Sequence, residues 1–170
     1  MVVRGFVLAG GASTRFGTDK AFFPVEGVAM ALRVGRALSP CCASVHVVGR
    51  DPRLETLLPW LEETPASFHP LHGVVTALAM LAPGETALIA PCDLPWLLPE
   101  SARLLVAGAV PAVAAAEGRK QPLLVHLGRG SLDLAREILA REGGAWELVE
   151  EATAVDLPPE QLENLNRPPG

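Results

Sequence analysis

An apolar run that leads directly into a glycine-rich, positively charged loop is the feature of this sequence that most restricts its fold. The run, Val2 to Leu8, has the length and the hydrophobicity of a parallel strand buried in a sheet. The loop that follows contains three glycines, whose backbone N–H groups can approach an anion without interference from a Cβ atom. It also holds Arg15 and Lys20, and the chain has only one other lysine. A strand that feeds such a loop predicts an α/β protein that binds a polyphosphate.

The loop fits neither of the two commonest phosphate-binding motifs. A P-loop has four residues between its glycines and then Lys-Ser or Lys-Thr, whereas five residues separate Gly11 from Gly17 here and Lys20 precedes Ala21. The dinucleotide fingerprint G-x-G-x-x-G is also absent. The loop therefore indicates another class of nucleotide-binding protein.

Strand and helix patterns alternate along the rest of the chain. The predicted strands are Val2–Leu8, Val45–Val48, Trp60–Glu62, Thr86–Ala90, Ala112–Ala116, Leu123–Leu127 and Thr153–Asp156. The predicted helices are Ala29–Leu38, Arg53–Leu58, Gly73–Leu81, a helix capped by Ser101 that runs to Val106, Leu132–Arg141 capped by Ser131, and a turn at Pro159–Leu162. This alternation predicts a single Rossmann-like domain over residues 1–166, with three α/β/α layers, a mostly parallel sheet and a loose tail over 167–170.

Ligands of such sheets bind beyond the carboxyl ends of the strands. Asp93 follows the strand that ends near Ala90 and is flanked by prolines, so we expect it to face the glycine loop at this edge. A carboxylate in that place is suited to hold Mg²⁺ against phosphate oxygens.

Composition excludes several other classes of protein. The formal net charge of −5 argues against a nucleic-acid-binding surface. No stretch is long and uncharged enough to span a bilayer, and the apolar start lacks the regions of a signal peptide, so we expect a cytoplasmic protein with no membrane partner. Cys41, Cys42 and Cys92 are too few and too badly spaced for a zinc site, and we expect buried free thiols.

The segment L-A-G-G-x-S-x-R-x-G-x-D-K-A resembles the signature of the nucleotidyltransferases that activate molybdopterin, and its LAGG form resembles the guanylyltransferase branch. Three later blocks are similar to that family: Pro70-Leu71-x-Gly73, Cys92-Asp93-x-Pro95 and Asn164-x-Asn166. The resemblance implies a fold of the nucleotide-diphospho-sugar transferase type, with Mg²⁺ as cofactor. It also implies transfer of GMP from GTP to the terminal phosphate of molybdopterin or the molybdenum cofactor, whose synthesis and acceptor proteins would be the partners.

The resemblance also implies roles for particular residues. The catalytic residues would be Lys20, Arg15 and Asp93, with Asp93 as the metal ligand. The nucleotide would be bound by Leu8, Ala9, Gly10, Gly11, Lys20, Gly73 and Asp93. To these we add Arg50, because it follows the second strand, and Glu63, because it is a carboxylate near the start of the third helix. The pterin substrate would be bound by Gln121, Asn164 and Asn166, although the two asparagines could instead face the metal-bound phosphates.

The sequence departs from the family pattern where the third helix begins. His69 stands in place of a glycine, and no aspartate precedes it, so that Glu62 or Glu63 is the nearest carboxylate for a guanine base. We interpret His69 and His72 as polar residues at a helix start. Two alternatives stay open: a CMP-transferring or sugar-1-phosphate nucleotidyltransferase, and a non-catalytic module that binds a nucleotide or cofactor.

Overall fold

The structure is a computed structural model and describes residues 1–10, 20–63 and 69–166. Its strands are β1 (Val2–Leu8), β2 (Pro24–Val25), β3 (Val28–Ala29), β4 (Ser44–Gly49), β5 (Trp60–Glu62), β6 (Glu85–Pro91), β7 (Ala112–Ala116), β8 (Arg119–Gly128) and β9 (Thr153–Asp156). Its α-helices are α1 (Met30–Leu38), α2 (Pro70–Ala79), α3 (Pro99–Ala107), α4 (Ser131–Ala140) and α5 (Ala145–Leu148). Short 3₁₀ helices lie at Lys20–Phe22, Ser39–Cys41, Pro52–Thr56 and Pro159–Leu162.

Seven of these strands form one sheet in the order β5-β4-β1-β6-β8-β7-β9. β1 pairs in parallel with β4 and β6, β4 pairs in parallel with β5, and β7 pairs in parallel with β9. Only β8 runs against its neighbours, because it returns from β7 through a tight turn and pairs antiparallel with both β7 and β6. The predicted mostly parallel α/β sheet is therefore confirmed.

Helices cover both faces of this sheet. On one face Val7 of β1 shares a core with Leu38 of α1 and Leu105 of α3. On the other face Phe6 packs in a second core with α2 and α4, which contribute Leu78 and Ile138. Adjacent residues of β1 thus enter opposite cores, which explains why this strand is apolar at every position that it buries. The three-layer prediction is confirmed.

The polar residues of interest gather at one edge because β1, β4, β5 and β6 all end there. The ends of these strands are tied together: the Ala9 N–H donates to the Val48 carbonyl at 2.7 Å, and the Cys92 N–H donates to the Leu8 carbonyl at 3.0 Å. β8 begins at the same edge because it is antiparallel, so Gln121 lies near Asp93.

Several local predictions are wrong. Ser101 and Ser131 do not cap helices: α3 begins at Pro99, and α4 begins at Ser131 after Gly130 without a side-chain cap. A proline, whose φ is fixed near the helical value, begins both α3 and α2. α2 therefore begins at Pro70, three residues before the predicted start at Gly73.

Three other features differ from the sequence-based expectation. Cys92 is buried, but Cys41 and Cys42 are only partly buried. The β2–β3 hairpin and α5 were not predicted, since elements of two to four residues have no hydrophobic period to read. No helix within the three described ranges is long and apolar enough to cross a membrane.

Candidate nucleotide site at the carboxyl edge

A buried acid lies directly after β5. Glu63 is 5 % exposed, and its backbone N–H donates to the Gly49 carbonyl at 3.0 Å. Its carboxylate packs against two glycines: a Cβ atom on Gly10 would overlap it, and one on Gly73 would lie 3.6 Å from Glu63 Oε2 and 2.9 Å from Leu8 Cδ2. The two glycines therefore leave the space that this side chain fills.

The Glu63 carboxylate receives no hydrogen bond from any residue that the structure describes. Burial raises its pKa, and the positive charge of Arg50, which follows β4, opposes that rise. An ionised carboxylate can only accept hydrogen bonds, and a buried one without donors is unfavourable. A ligand that presents N–H groups to this point would satisfy it.

A second cluster forms around Asp93, at the same edge. Lys20 Nζ lies 3.3 Å from Asp93 Oδ2, and only 20 % of the lysine side chain and 16 % of the aspartate side chain are exposed. The lysine begins the 3₁₀ helix after the glycine loop, and the aspartate follows β6. The structure thus brings together the two charged residues that the sequence placed after neighbouring strands.

The end of the described chain folds over this pair. The Leu165 N–H donates to the Asp93 carbonyl at 2.9 Å, which fixes an extended segment beside the carboxylate. Residues on either side of Leu165 then face the same way. Asn164 Nδ2 donates to Asp93 Oδ1 at 2.9 Å, and Asn166 Oδ1 accepts from Lys20 Nζ at 3.1 Å. Gln121 Nε2 donates to Asn164 Oδ1 at 3.1 Å, so that five side chains form one network.

His69 has a structural role at the start of α2. Its Nδ1 accepts from the Leu71 N–H at 3.1 Å, which leaves the proton on Nε2 to donate to the Gly143 carbonyl at 2.9 Å. Burial lowers the pKa of the nearby His72, and the positive charge of Arg50 lowers it further. The interpretation of His69 as a helix-start residue is confirmed.

The predicted site residues divide into two groups at one edge. Lys20, Asp93, Gln121, Asn164 and Asn166 form the charged network, and the second group consists of the buried Glu63 with Leu8, Gly10, Arg50 and Gly73 near it. Ala9 lies between them, where its N–H joins β1 to β4. Gly11 and Arg15 lie outside the described residues. Glu62, the other candidate acid, is exposed and lines a surface cleft with His72 and Met80.

Sequence reasoning missed one residue of this region. Arg33 of α1 donates from Nε to the Pro95 carbonyl at 3.0 Å, two residues beyond Asp93. It also donates from a terminal nitrogen to the Val25 carbonyl at 3.3 Å, in the hairpin that follows Lys20. An arginine in an amphipathic helix carries no signal for such contacts, so nothing in the sequence alone indicated it.

The oxygens of the charged network suit a hard cation that a nucleotide also holds. In the part of the chain that the structure describes, no three His, Cys, Asp or Glu side chains group into a metal site. Mg²⁺ needs no such set, because it is commonly held by one or two carboxylates together with substrate phosphates. Asp93 Oδ2 and Asn166 Oδ1 both contact the Lys20 ammonium, so the two oxygens face one point. These oxygens could be the protein ligands of a Mg²⁺ ion that also binds substrate phosphates.

A doubly covered α/β sheet with a lysine, a carboxylate and a buried acid beyond its strand ends is the arrangement of a nucleotide-binding protein. The chain belongs to the MobA-like NTP transferase domain family, whose sequence model matches residues 5–156. Membership confirms the resemblance read from the motifs. It also confirms, at the level of the family, the predicted class of enzyme, which is a nucleotidyltransferase.

Individual relatives agree with this assignment. A "Probable molybdenum cofactor guanylyltransferase" of Synechococcus elongatus is 35 % identical over 123 residues, which cover 59 % of this chain and 62 % of that protein. A protein of the same name from Chloroflexus aggregans is 32 % identical over 153 residues, covering 82 % of this chain and 72 % of that protein. The matched part thus spans less than two thirds of the Synechococcus relative.

A solved structure has the same fold. It is the crystal structure of molybdopterin-guanine dinucleotide biosynthesis protein A from Archaeoglobus fulgidus, with a TM-score of 0.76 and 20 % identity. The superposition covers 97 % of this chain and 93 % of that one. This likeness confirms the fold class.

Proposed function

We propose that this protein transfers GMP from GTP to the terminal phosphate of molybdopterin or the molybdenum cofactor. The products are the guanine dinucleotide cofactor and pyrophosphate. The proposal is supported by the names of the relatives, by the glycine-loop motif and by the two groups of side chains at the sheet edge.

The buried carboxylate of Glu63 is the observation that carries the choice of guanine. Guanine presents two adjacent N–H donors, N1–H and N2–H, on one edge of the ring, and one carboxylate can accept from both. Adenine and cytosine each place an acceptor nitrogen beside their amino group. The lone pair of that nitrogen would face the carboxylate and repel it. Gly10 and Gly73 leave the space that the Glu63 carboxylate occupies, and the proposal has the base bind against that carboxylate.

The phosphate part of GTP is assigned to the charged network and the glycine loop. Gly10 and Gly11 let the backbone lie against the nucleotide beside Leu8 and Ala9. Lys20 and Arg15 neutralise the triphosphate and the charge that develops on the leaving group. Asp93 would hold Mg²⁺, which would supply positive charge to the phosphate oxygens.

The reaction is an in-line displacement at the α-phosphorus. An oxygen of the molybdopterin phosphate forms a bond to the α-phosphorus of GTP. The bond between the α-phosphorus and the oxygen that bridges it to the β-phosphate breaks, and pyrophosphate leaves with the electron pair. The nucleophile needs no general base, because a phosphate monoester with a second pKa of about 6 is already ionised at neutral pH. The role left to the protein is positioning and charge stabilisation.

Gln121, Asn164 and Asn166 are proposed to bind the acceptor side, since they belong to the network around Asp93 and Lys20, where the second phosphate would approach. Three further expectations stay predictions: a domain that ends at residue 166, action in the cytoplasm, and contact with proteins that make or receive the cofactor. The tail over 167–170 lies outside the described residues.

Pyrophosphate release tests the proposal. We expect release only when GTP and molybdopterin are both present with Mg²⁺, and we expect Lys20→Ala and Asp93→Ala each to lower it at least about 100-fold, with circular dichroism unchanged. Near-wild-type turnover in either variant would remove that residue from the mechanism. Release with CTP in place of GTP would favour the CMP-transferring class, and GTP binding without release would favour a non-catalytic module.

A further inference from the structure

The ammonium of Lys20 lies on the oxygens that suit a divalent cation. Its Nζ contacts Asp93 Oδ2 at 3.3 Å and Asn166 Oδ1 at 3.1 Å. We propose that Lys20 and the divalent cation exchange at these oxygens. The cation then binds there tightly only after the phosphates of a nucleotide have drawn the ammonium away.

The partners of Asp93 are unequal, and this inequality decides which one yields. Oδ1 accepts from Asn164, whose amide is held in turn by Gln121. The backbone carbonyl of Asp93 accepts from the Leu165 N–H, so the segment that carries Asn164 is fixed on two sides. Oδ2 is contacted by a flexible lysine. Oδ2 is therefore the oxygen that can change partner without a movement of the backbone.

Charge makes the two occupants exclude one another. A divalent cation on Asp93 Oδ2 would stand within contact distance of the Lys20 ammonium, in a site where both side chains are at least four-fifths buried. Repulsion between cations is strong in such a poorly solvated place. A cation that arrives alone must displace the lysine, whereas a nucleotide offers the ammonium new phosphate partners. The two ligands then raise each other's affinity, as linkage requires.

A lysine is suited to this exchange in a way that an arginine is not. Its charge is a compact ammonium on four methylene groups, and it can leave one oxygen for another by rotation of that stem. Its backbone stays in place, since the Lys20 carbonyl accepts from the Phe23 N–H at 3.2 Å within the 3₁₀ turn. An arginine would grip the carboxylate with two parallel hydrogen bonds and resist the change.

Manganese titration followed by electron paramagnetic resonance tests the exchange without turnover. In the absence of nucleotide, we expect Lys20→Met to bind Mn²⁺ at least about tenfold more tightly than the unaltered protein does. Lys20→Gln is a second variant in case the first does not fold, and Asp93→Asn should abolish the tight binding in the Lys20→Met background.

Arg129→Met is the matched control, because it removes the same charge from an exposed turn. It follows β8 at the opposite end of the sheet, where Gly128 pairs with Thr86. It should bind Mn²⁺ as the unaltered protein does. Equal Mn²⁺ affinity in Lys20→Met and the unaltered protein, or an equal gain in Arg129→Met, would overturn the proposal.

A second arm adds nucleotide. GTP should tighten Mn²⁺ binding in the unaltered protein and should do so much less in Lys20→Met, whose oxygens are already available. A gain of the same size in both would contradict the exchange. This arm rests on the proposed function, whereas the nucleotide-free arm depends on neither GTP nor transfer. A failed transfer assay with the expected nucleotide-free result would therefore reject the function and keep the exchange.

Discussion

The two lysines of this chain show how one residue type takes two roles. Lys120 Nζ donates to three backbone carbonyls, those of Val149, Glu150 and Ala152, at 2.8, 2.9 and 3.2 Å. It thereby closes the turn after α5 and is fixed by backbone groups that cannot change partner. Lys20 contacts side chains instead, a carboxylate and an amide. The glycine-loop context separated the two in the sequence, and their partners explain the difference physically.

Glu63 should reduce the stability of the protein on its own. Burial raises its pKa, so the folded state holds the Glu63 proton more tightly than the unfolded chain does. Stability is therefore lost as pH rises from the ordinary carboxyl pKa through the raised one. We expect Glu63→Gln to raise the melting temperature at pH 7 and to lose this gain at acidic pH. The measurement is thermal unfolding as a function of pH.

Glu62→Gln is the control for that experiment, because it removes an equal charge from the exposed neighbour. A lower melting temperature for Glu63→Gln at pH 7 would show that the carboxylate has favourable partners and would contradict a net cost of its burial. A gain in stability joined to a loss of nucleotide binding is the pattern typical of residues kept for function.

At the scale of elements, Arg33 connects the segments that carry the two charged site residues. Its guanidinium contacts the Pro95 and Val25 carbonyls and lies 5.4 Å from the centre of the Trp96 ring. Through these contacts α1 holds both the loop after β6 and the hairpin after the Lys20 turn. The position of Asp93 relative to Lys20 therefore depends on α1 as well.

We expect Arg33→Met to lower kcat at least about tenfold while KM for the nucleotide changes less, because the base contact proposed for Glu63 lies at another strand end. Arg33→Lys should restore little of the lost kcat, since one ammonium cannot donate to both the Pro95 and the Val25 carbonyls as the guanidinium does. Steady-state kinetics with folding checked by circular dichroism measures this. Wild-type kcat in Arg33→Met would show that the two segments keep their positions without it.

Three of the strands that build the site could be predicted from the sequence because each contains an apolar run with a clear end. β1, β4 and β6 are such runs, and the parallel direction expected of them is enough to place Lys20 and Asp93 at one edge. The choice between Glu62 and Glu63 could not be made, because β5 has three residues and its two faces are not distinguished by pattern. In the structure Glu63, just beyond the pairing of β5 with β4, is buried and Glu62 is exposed, which favours Glu63.

An ion pair joins the two central strands, β1 and β6, at the end of the sheet opposite the site. Arg4 of β1 donates to both carboxylate oxygens of Glu85, at 2.7 Å each, and Glu85 Oε2 also accepts from the Ala82 N–H at 2.9 Å. The guanidinium lowers the pKa of Glu85 to about 2, and the Ala82 N–H contributes to the shift. An ion pair thus joins β1 to β6 at one end of the sheet, and the candidate site lies at the other end.

Acid should remove the contribution of this pair. Because the folded-state pKa of Glu85 is depressed, its contribution to stability is present above the ordinary value of 4.5 and is lost as pH falls toward 2. We expect Glu85→Gln to melt below the unaltered protein at pH 7, with a gap that closes as pH approaches 2. Thermal unfolding across this pH range checks it, and a gap that stays constant would show that the pair does not account for the difference.

Calorimetric titration with the Mg²⁺ complexes of GTP, CTP, ATP and UTP tests the central claim most directly, on the unaltered protein and on Glu63→Gln. We predict that GTP binds at least about tenfold more tightly than the other three and that Glu63→Gln loses most of this preference, since an amide offers a donor where guanine needs an acceptor. Tighter binding of CTP, or a preference for GTP that survives in Glu63→Gln, would contradict the account.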